Sequence, residues 1–139
     1  QATAPFDIML DIKNIKMDIS DIEGIQLYGD IKWLAEALSN VVKNCIECTP
    51  DGGQVKISAE ENAMYVKLCV IDSGTGIAKE DIPHLFERFY RGKNSGKNGA
   101  GIGLALAKTI ITQQNGMITA ENIMPCGAKF TIFFYKGVA

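Results

Sequence analysis

The segment Val66-Lys-Leu-Cys-Val-Ile71 is apolar at all but one position and ends abruptly at Asp72-Ser-Gly-Thr-Gly76. Such a run has no polar face to give to water, so it reads as a central strand covered on both faces. A covered strand needs a sheet around it and helices packed on that sheet. The alternation of Ile8, Leu10 and Ile12 predicts a strand over Phe6 to Ile15, and Ile25-Gln-Leu27 a short second one. Asp30 has the chemistry of a helix cap. From Ile31 to about Cys48, the residues Leu34, Leu38, Val41, Val42 and Cys45 recur at helical spacing. Thr49-Pro-Asp-Gly-Gly53 ends that helix, and strands follow over Gln54–Ala59 and Met64–Ile71.

Beyond the Asp-Ser-Gly-Thr-Gly break, a short helix is expected from near Lys79 toward Phe86. Glu87 to Ala100 is polar, glycine-containing and basic, and reads as a long loop, of a length that is usually functional or disordered. A second long helix is expected from about Gly101 to Gln114, stopped by Asn115-Gly116. Met117–Glu121 and Ala128–Tyr135 then form a closing pair of strands. The expected fold class is α+β: a two-layer α/β sandwich with a mixed, mostly antiparallel sheet and about three helices on one face.

At 139 residues and 47% hydrophobic content the chain fits one domain, spanning 1–139, with a core of its own. A formal charge of −2 argues against nucleic acid as a partner, since that needs a basic face. The positive charge is concentrated instead, with Arg88, Arg91, Lys93 and Lys97 in one run free of acids. No apolar stretch approaches the ~18–20 residues of a membrane helix, and no signal peptide precedes Phe6. A soluble cytoplasmic module with no direct membrane contact is expected, although a longer parent could be membrane-anchored. The four cysteines read as buried reduced thiols. Cys45-Ile-Glu-Cys48 has metal-ligand spacing, but Cys69 and Cys126 form no second close pair, which argues against zinc.

Three segments carry chemistry. Glu36, Asn40 and Asn44 stand at i, i+4 and i+8, on one helix face opposite the apolar stripe. Asparagine costs about half a kcal/mol relative to alanine in a helix, so two in register are poorly explained by stability. An amide oxygen is a suitable hard ligand for Mg²⁺; a solvated polar face is the plain alternative. In Asp72-Ser-Gly-Thr-Gly-Ile77, a carboxylate at a buried strand end can accept from an exocyclic amine such as adenine N6. The glycines let backbone approach a flat ring, though the same residues also suit an ordinary turn. Gly99-Ala-Gly-Ile-Gly-Leu104 opens a helix, exposing backbone amides to an anion, and the basic run before it offers partners for phosphate oxygens.

Those glycines partly match a dinucleotide fingerprint, with Glu121 about twenty residues on. Leu104 occupies the third glycine position, and Arg91-Gly-Lys-Asn-Ser-Gly-Lys-Asn98 is no buried strand, so the fingerprint fails where it needs one.

In this order the segments resemble the four boxes of the sensor histidine kinase catalytic domain, of the gyrase/Hsp90/histidine-kinase/MutL superfamily with its Bergerat-type ATP-binding fold. Leu38-Ser-Asn-Val-Val-Lys-Asn44 resembles the N box (about 36–48), and Asp72 to Ile77 the first glycine box. Phe86-Glu-Arg-Phe-Tyr-Arg91 is similar to the F box, and 99–106 to the second glycine box. Gly127-Ala-Lys-Phe130 looks like part of the closing strands. The resemblance implies ATP and Mg²⁺ as ligands, with Asn44 on the metal and Asn40 where hydrolysing relatives carry a glutamate base. It implies Asp72 on adenine, with Gly74, Gly76 and Ile77 around the base. Tyr90, Arg91 and Lys97 fall near the phosphates, Lys97 reaching the γ-phosphate, and Gly99, Gly101, Ile102, Gly103 and Leu104 form the helix entry. Residues 86–100 correspond to the ATP lid. This chain departs from the pattern at Glu47, where the family usually has lysine or arginine, at Cys48, and more mildly at Ala100 and Ala128.

The only histidine, His84, lies just before the F box and has no counterpart as an acceptor. The resemblance therefore implies transfer of the ATP γ-phosphoryl group to a histidine on a separate dimeric phosphoacceptor domain, with a response regulator downstream. Other expectations are a nucleotide-binding regulatory module without catalysis, an anti-sigma-factor-like serine kinase phosphorylating a protein partner, and an ATP-hydrolysing relative, against which Asn40 argues.

Overall fold

A computed structural model describes residues 16–20, 31–87, 103–124 and 126–135. The strands expected over Phe6–Ile15 and Ile25–Leu27, the Asp30 cap and the lid beyond Glu87 lie outside them. The described elements are β1 (Lys16–Ser20), α1 (Ile31–Cys48), β2 (Gln54–Glu61), β3 (Tyr65–Asp72), a 3-10 helix (Lys79–His84), α2 (Gly103–Gln113), β4 (Gly116–Asn122) and β5 (Ala128–Tyr135). Strand β1 falls one residue beyond the segment read as a strand from sequence. The expected short helix stops at His84, and the expected helix from Gly101 is described from Gly103.

The strands form one sheet in the order β1-β2-β3-β5-β4. Among the described strands only β1 and β2 run parallel and the other pairs are antiparallel, so the sheet is mixed and mostly antiparallel. The β2–β3 hairpin is closed by Asn62, whose Oδ1 accepts from Met64 N (2.8 Å) and Tyr65 N (2.9 Å). That turn takes up Met64 and moves the start of β3 to Tyr65.

Period-two alternation sorts the side chains. Val55, Ile57 and Ala59 of β2, Val66, Leu68 and Val70 of β3, Phe130, Ile132 and Phe134 of β5 and Ile118 of β4 are all buried. Register places them side by side: Ile57 opposite Val70, Val70 opposite Phe130, Ile132 opposite Ile118. Helix α1 packs on this face through Leu34, Ala37, Val41, Val42, Cys45 and Ile46, and α2 through Ala107, Ile110 and Ile111. Full burial of one such aliphatic side chain stabilises by about 1.5–3 kcal/mol, so this layer carries most of the folding energy.

The expectation that β3 is covered on both faces holds only in part. On its second face Cys69 is buried, but Tyr65, Lys67 and Ile71 are half-exposed. No described helix covers that side. Instead Tyr65 meets the Phe133 ring edge-on (5.3 Å between centroids), Phe133 stacks on Tyr135 (6.1 Å), and Lys67 pairs with Glu60 (3.0 Å). Long side chains lying on the sheet protect it here in place of a third layer.

Helix α1 ends at Cys48 as the sequence predicts, and α2 at Gln113, one residue before the expected Gln114. Thr49 Oγ1 donates to the Cys45 carbonyl (2.6 Å), taking up one carbonyl orphaned by the end of α1. Asn115 adopts φ 64, the left-handed conformation that asparagine tolerates at a helix C-terminus. It then donates from Nδ2 to the Tyr135 carbonyl (3.3 Å), tying α2 to the far end of β5.

Candidate functional site

Three elements converge at the C-terminal end of β3. Asp72 is its last residue and is 3% exposed. Because its inward neighbours Val70 and Leu68 belong to the core, strand alternation turns the carboxylate toward the helices. Asp72 Oδ1 accepts from Gly74 N–H (2.9 Å) and from Ala128 N–H (3.2 Å), the first a local turn and the second the start of the neighbouring strand. Burial pushes this carboxyl above the ordinary carboxylate range; the two backbone donors and the Cys45 thiol act in the opposite direction.

Cys45 is the thiol that donates to Asp72. It is fully buried on α1, and burial first, then the adjacent Asp72 charge and the bond donated to it, push its pKa well above the usual thiol value. At physiological pH it is a neutral hydrogen-bond donor, not a nucleophile. The expectation of four buried thiols needs correction: Cys45 and Cys69 are buried, Cys48 is half-buried and Cys126 is exposed, and none is in a disulfide. Cys126 sits in the β4–β5 turn, where no core covers it.

Gly74 brings the turn hard against the end of α1, since a β-carbon there would collide with the Cys48 carbonyl oxygen. Gly76 adopts φ 85, a conformation that costs any side chain about 1–2 kcal/mol. Ile77, half-buried, packs its side chain against the core. The helix face named from sequence is only partly solvated. Glu36 is exposed, but Asn40 and Asn44 are half-buried, and Glu47 is half-buried one turn further on. Asn40 Nδ2 is buried and has no hydrogen-bond partner among the described residues. Beside it stands the first residue of α2: a β-carbon on Gly103 would lie 3.8 Å from Asn40 Oδ1. Leu104 packs on the core behind Gly103. Phe86 is held edge-on to Phe130 (6.4 Å between centroids), with Lys108 Nζ 5.8 Å from its ring centre.

Two lines of contact thus bring together Asp72, Gly74 and the end of α1 on one side, and Asn40 and the α2 N-terminus on the other. Tyr90, Arg91, Lys97, Gly99, Gly101 and Ile102 lie outside the described residues. His84 is exposed, with Nδ1 2.8 Å from Glu87 Oε2. Three contributors were not assigned to the site from sequence, Gly127 being read only as part of a closing strand. Cys45 reads as one more apolar stripe residue. Gly127, at φ 107, leaves room for the Asp72 carbonyl, which a β-carbon would strike. Asn122 bonds to Ile77 from 45 residues away, and no local pattern announces it.

Residues 29–137 match the family of histidine kinase-, DNA gyrase B- and HSP90-like ATPases, and the chain belongs to that family. It is 35% identical over 118 residues to the heme sensor protein HssS of Staphylococcus saprophyticus, covering 85% of this chain and 25% of that protein. It is 32% identical over 123 residues to the signal transduction histidine-protein kinase BaeS of Escherichia coli K12, covering 86% and 26%. The chain therefore spans about a quarter of the length of these relatives. A nucleotide-free catalytic domain of histidine kinase ThkA superposes with a TM-score of 0.85 at 28% identity, covering 97% of this chain and 88% of that one. ThkA in complex with the response regulator TrrA gives a TM-score of 0.81 at 25% identity, covering 98% and 38%. Among the described residues no helix is long and apolar enough to cross a membrane.

Proposed function

We propose that this chain binds Mg·ATP and donates the γ-phosphoryl group to a histidine on a separate dimerisation and phosphoacceptor domain, in two-component signal transduction. The observation that carries the reading is Asp72: a buried carboxylate at a strand end with both backbone donors on Oδ1. That arrangement leaves acceptor capacity for the exocyclic amine of adenine. The unpartnered Asn40 amide beside the α2 N-terminus supports a phosphate-bearing ligand at the other end, since a buried donor without a partner costs about 1–3 kcal/mol. Family membership and the histidine kinase relatives point the same way.

On this reading Asp72 reads the base, while Gly74, Gly76 and Ile77 form its wall. Asn44 supplies an amide oxygen to Mg²⁺, and Asn40 donates toward the phosphates. An amide cannot deprotonate water, so Asn40 favours keeping ATP for transfer over hydrolysing it. Tyr90, Arg91 and Lys97 neutralise phosphate charge, with Gly99, Gly101, Ile102, Gly103 and Leu104 presenting the helix entry. Mg²⁺ held there would supply charge neutralisation to the phosphates. The side chains supply positioning, and little covalent chemistry remains for the protein to do. The N box then spans about 36–48, the first glycine box 72–77, the F box 86–91, the lid about 86–100 and the second glycine box 99–106. The domain acts in the cytoplasm without touching nucleic acid or membrane. It reaches a response regulator indirectly, ThkA being a relative solved with one.

The test is to supply the chain with γ-labelled ATP, Mg²⁺ and the acceptor domain of its parent, and to look for acid-labile, base-stable label. Phosphohistidine that disappears in Asn44→Ala is expected. Label on serine would favour the serine kinase reading, and bound nucleotide with no transfer the regulatory one; either would sink the histidine kinase proposal.

A further inference from the structure

Asn122, the last residue of β4, makes two hydrogen bonds to one residue of the first glycine box. Its Oδ1 accepts from Ile77 N–H (2.6 Å) and its Nδ2 donates to the Ile77 carbonyl (2.8 Å). A side-chain amide satisfying both polar groups of one peptide residue does the work of a neighbouring strand, beyond the point where the ladder has ended. The loop after β3 has left the sheet by then, since the Asp72–Ala128 pair is the last rung between β3 and β5.

The surroundings are built around this contact. A β-carbon on Gly76 would lie 2.8 Å from Asn122 Oδ1, so the bare α-carbon and the incoming amide fit one another. The turn that carries Asn122 is closed by Ile123 N–H donating to the Gly127 carbonyl (3.1 Å). The same β4–β5 hairpin gives Ala128 N–H to Asp72 Oδ1. One hairpin therefore holds two parts of the site: the carboxylate through Ala128 and the Gly76–Ile77 backbone through Asn122.

We infer that Asn122 is a positioning residue for nucleotide recognition, clamping the Ile77 peptide so that the segment from Gly74 to Ile77 is a preformed wall for the base. The inference rests on the nucleotide reading above. Without the clamp, Ile77 N–H and C=O turn to water, and the ligand has to order a segment that now stands ready. Asn122 acts through Ile77, at the Asp72 end of the site, so its effect is expected at the base end.

The test compares wild type, Asn122→Ala and Asn122→Asp by calorimetric titration with ADP and with a non-hydrolysable ATP analogue. It is run well below each protein's melting temperature, together with hydrogen exchange at the Ile77 amide. Asn122→Ala loses both bonds; Asn122→Asp keeps the acceptor but sets a carboxylate oxygen against the Ile77 carbonyl. Loss of one or two exposed hydrogen bonds corresponds to about 5–10-fold weaker binding. That loss is expected equally for ADP and the ATP analogue in Asn122→Ala, and larger in Asn122→Asp. Ile77 exchange should quicken while the amides of β3 stay protected. A purely structural role would lower the melting temperature and leave affinity untouched in the folded protein. Wild-type affinity in both variants, or a loss confined to the ATP analogue, overturns the inference and leaves the nucleotide reading intact. Failure of wild type itself to bind ADP overturns both.

Discussion

Replacing Asp72 by asparagine separates what this residue does for the ligand from what it costs the fold. The amide is nearly isosteric, and its oxygen can still accept from Gly74 and Ala128 N–H. Its NH₂ then stands where a carboxylate oxygen faces the ligand, so donor meets donor at the adenine amine. A hydrogen bond to a charged group contributes about 1.5–3 kcal/mol, and its loss corresponds to roughly 10–150-fold weaker ADP binding. Stability should move the other way. Burial raises the folded-state pKa of Asp72 above its unfolded value. An acid shifted upward gives its full contribution to folding below the unfolded pKa and loses it as pH climbs through the folded one. The neutral amide escapes that loss. Asp72→Asn should therefore melt at or above the wild-type temperature at pH 7. The difference should shrink as pH falls toward the ordinary aspartate value of about 4. The assay pairs ADP titration at pH 7.5 with melting curves across that range. Affinity within twofold of wild type would refute the role given to Asp72. A variant whose deficit in stability grows with pH would refute the account of its burial.

Four further outcomes follow from packing and access. Gly74→Ala must push a β-carbon into the Cys48 carbonyl, and overpacking of this kind costs about 1–3 kcal/mol, read as a fall of several degrees in melting temperature. Phe130→Ala removes a ring that is 1% exposed and supports Phe86, so urea melts should show a loss of about 3–5 kcal/mol. A thiol reagent should modify Cys126 first and Cys48 more slowly, leaving Cys45 and Cys69 protected until unfolding, as followed by mass spectrometry. Glu47→Lys puts a positive charge one turn beyond Asn44 and should tighten ADP binding about two- to fivefold at low salt, fading as ionic strength rises.

Much of this architecture is legible in the residues because local pattern and tertiary demand agree. Helix α1 follows from its apolar stripe and from Thr49-Pro-Asp-Gly-Gly53 beyond it, and β5 from alternation that survives as burial. Strand β1 is not legible because Lys16, Asp18 and Ser20 break any apolar alternation, and its place comes from pairing with β2, 38 residues on, first in the order of the described strands. The second face of β3 was misjudged because apolar composition does not say whether a helix or neighbouring aromatic side chains give the cover. At the site, Asp72 and its glycines are visible as a break in a strand. Cys45 and Asn122 are not, since their partners lie 27 and 45 residues away and nothing in either neighbourhood distinguishes them.

The most direct test of the central claim is calorimetric titration of the chain with a non-hydrolysable ATP analogue, with and without Mg²⁺, for wild type and Asn44→Ala. Wild type should bind, more tightly with Mg²⁺ than without, and Asn44→Ala should lose that Mg²⁺ increment while keeping Mg²⁺-free affinity. Absence of binding at millimolar analogue, or a Mg²⁺ increment that survives Asn44→Ala unchanged, would contradict the account.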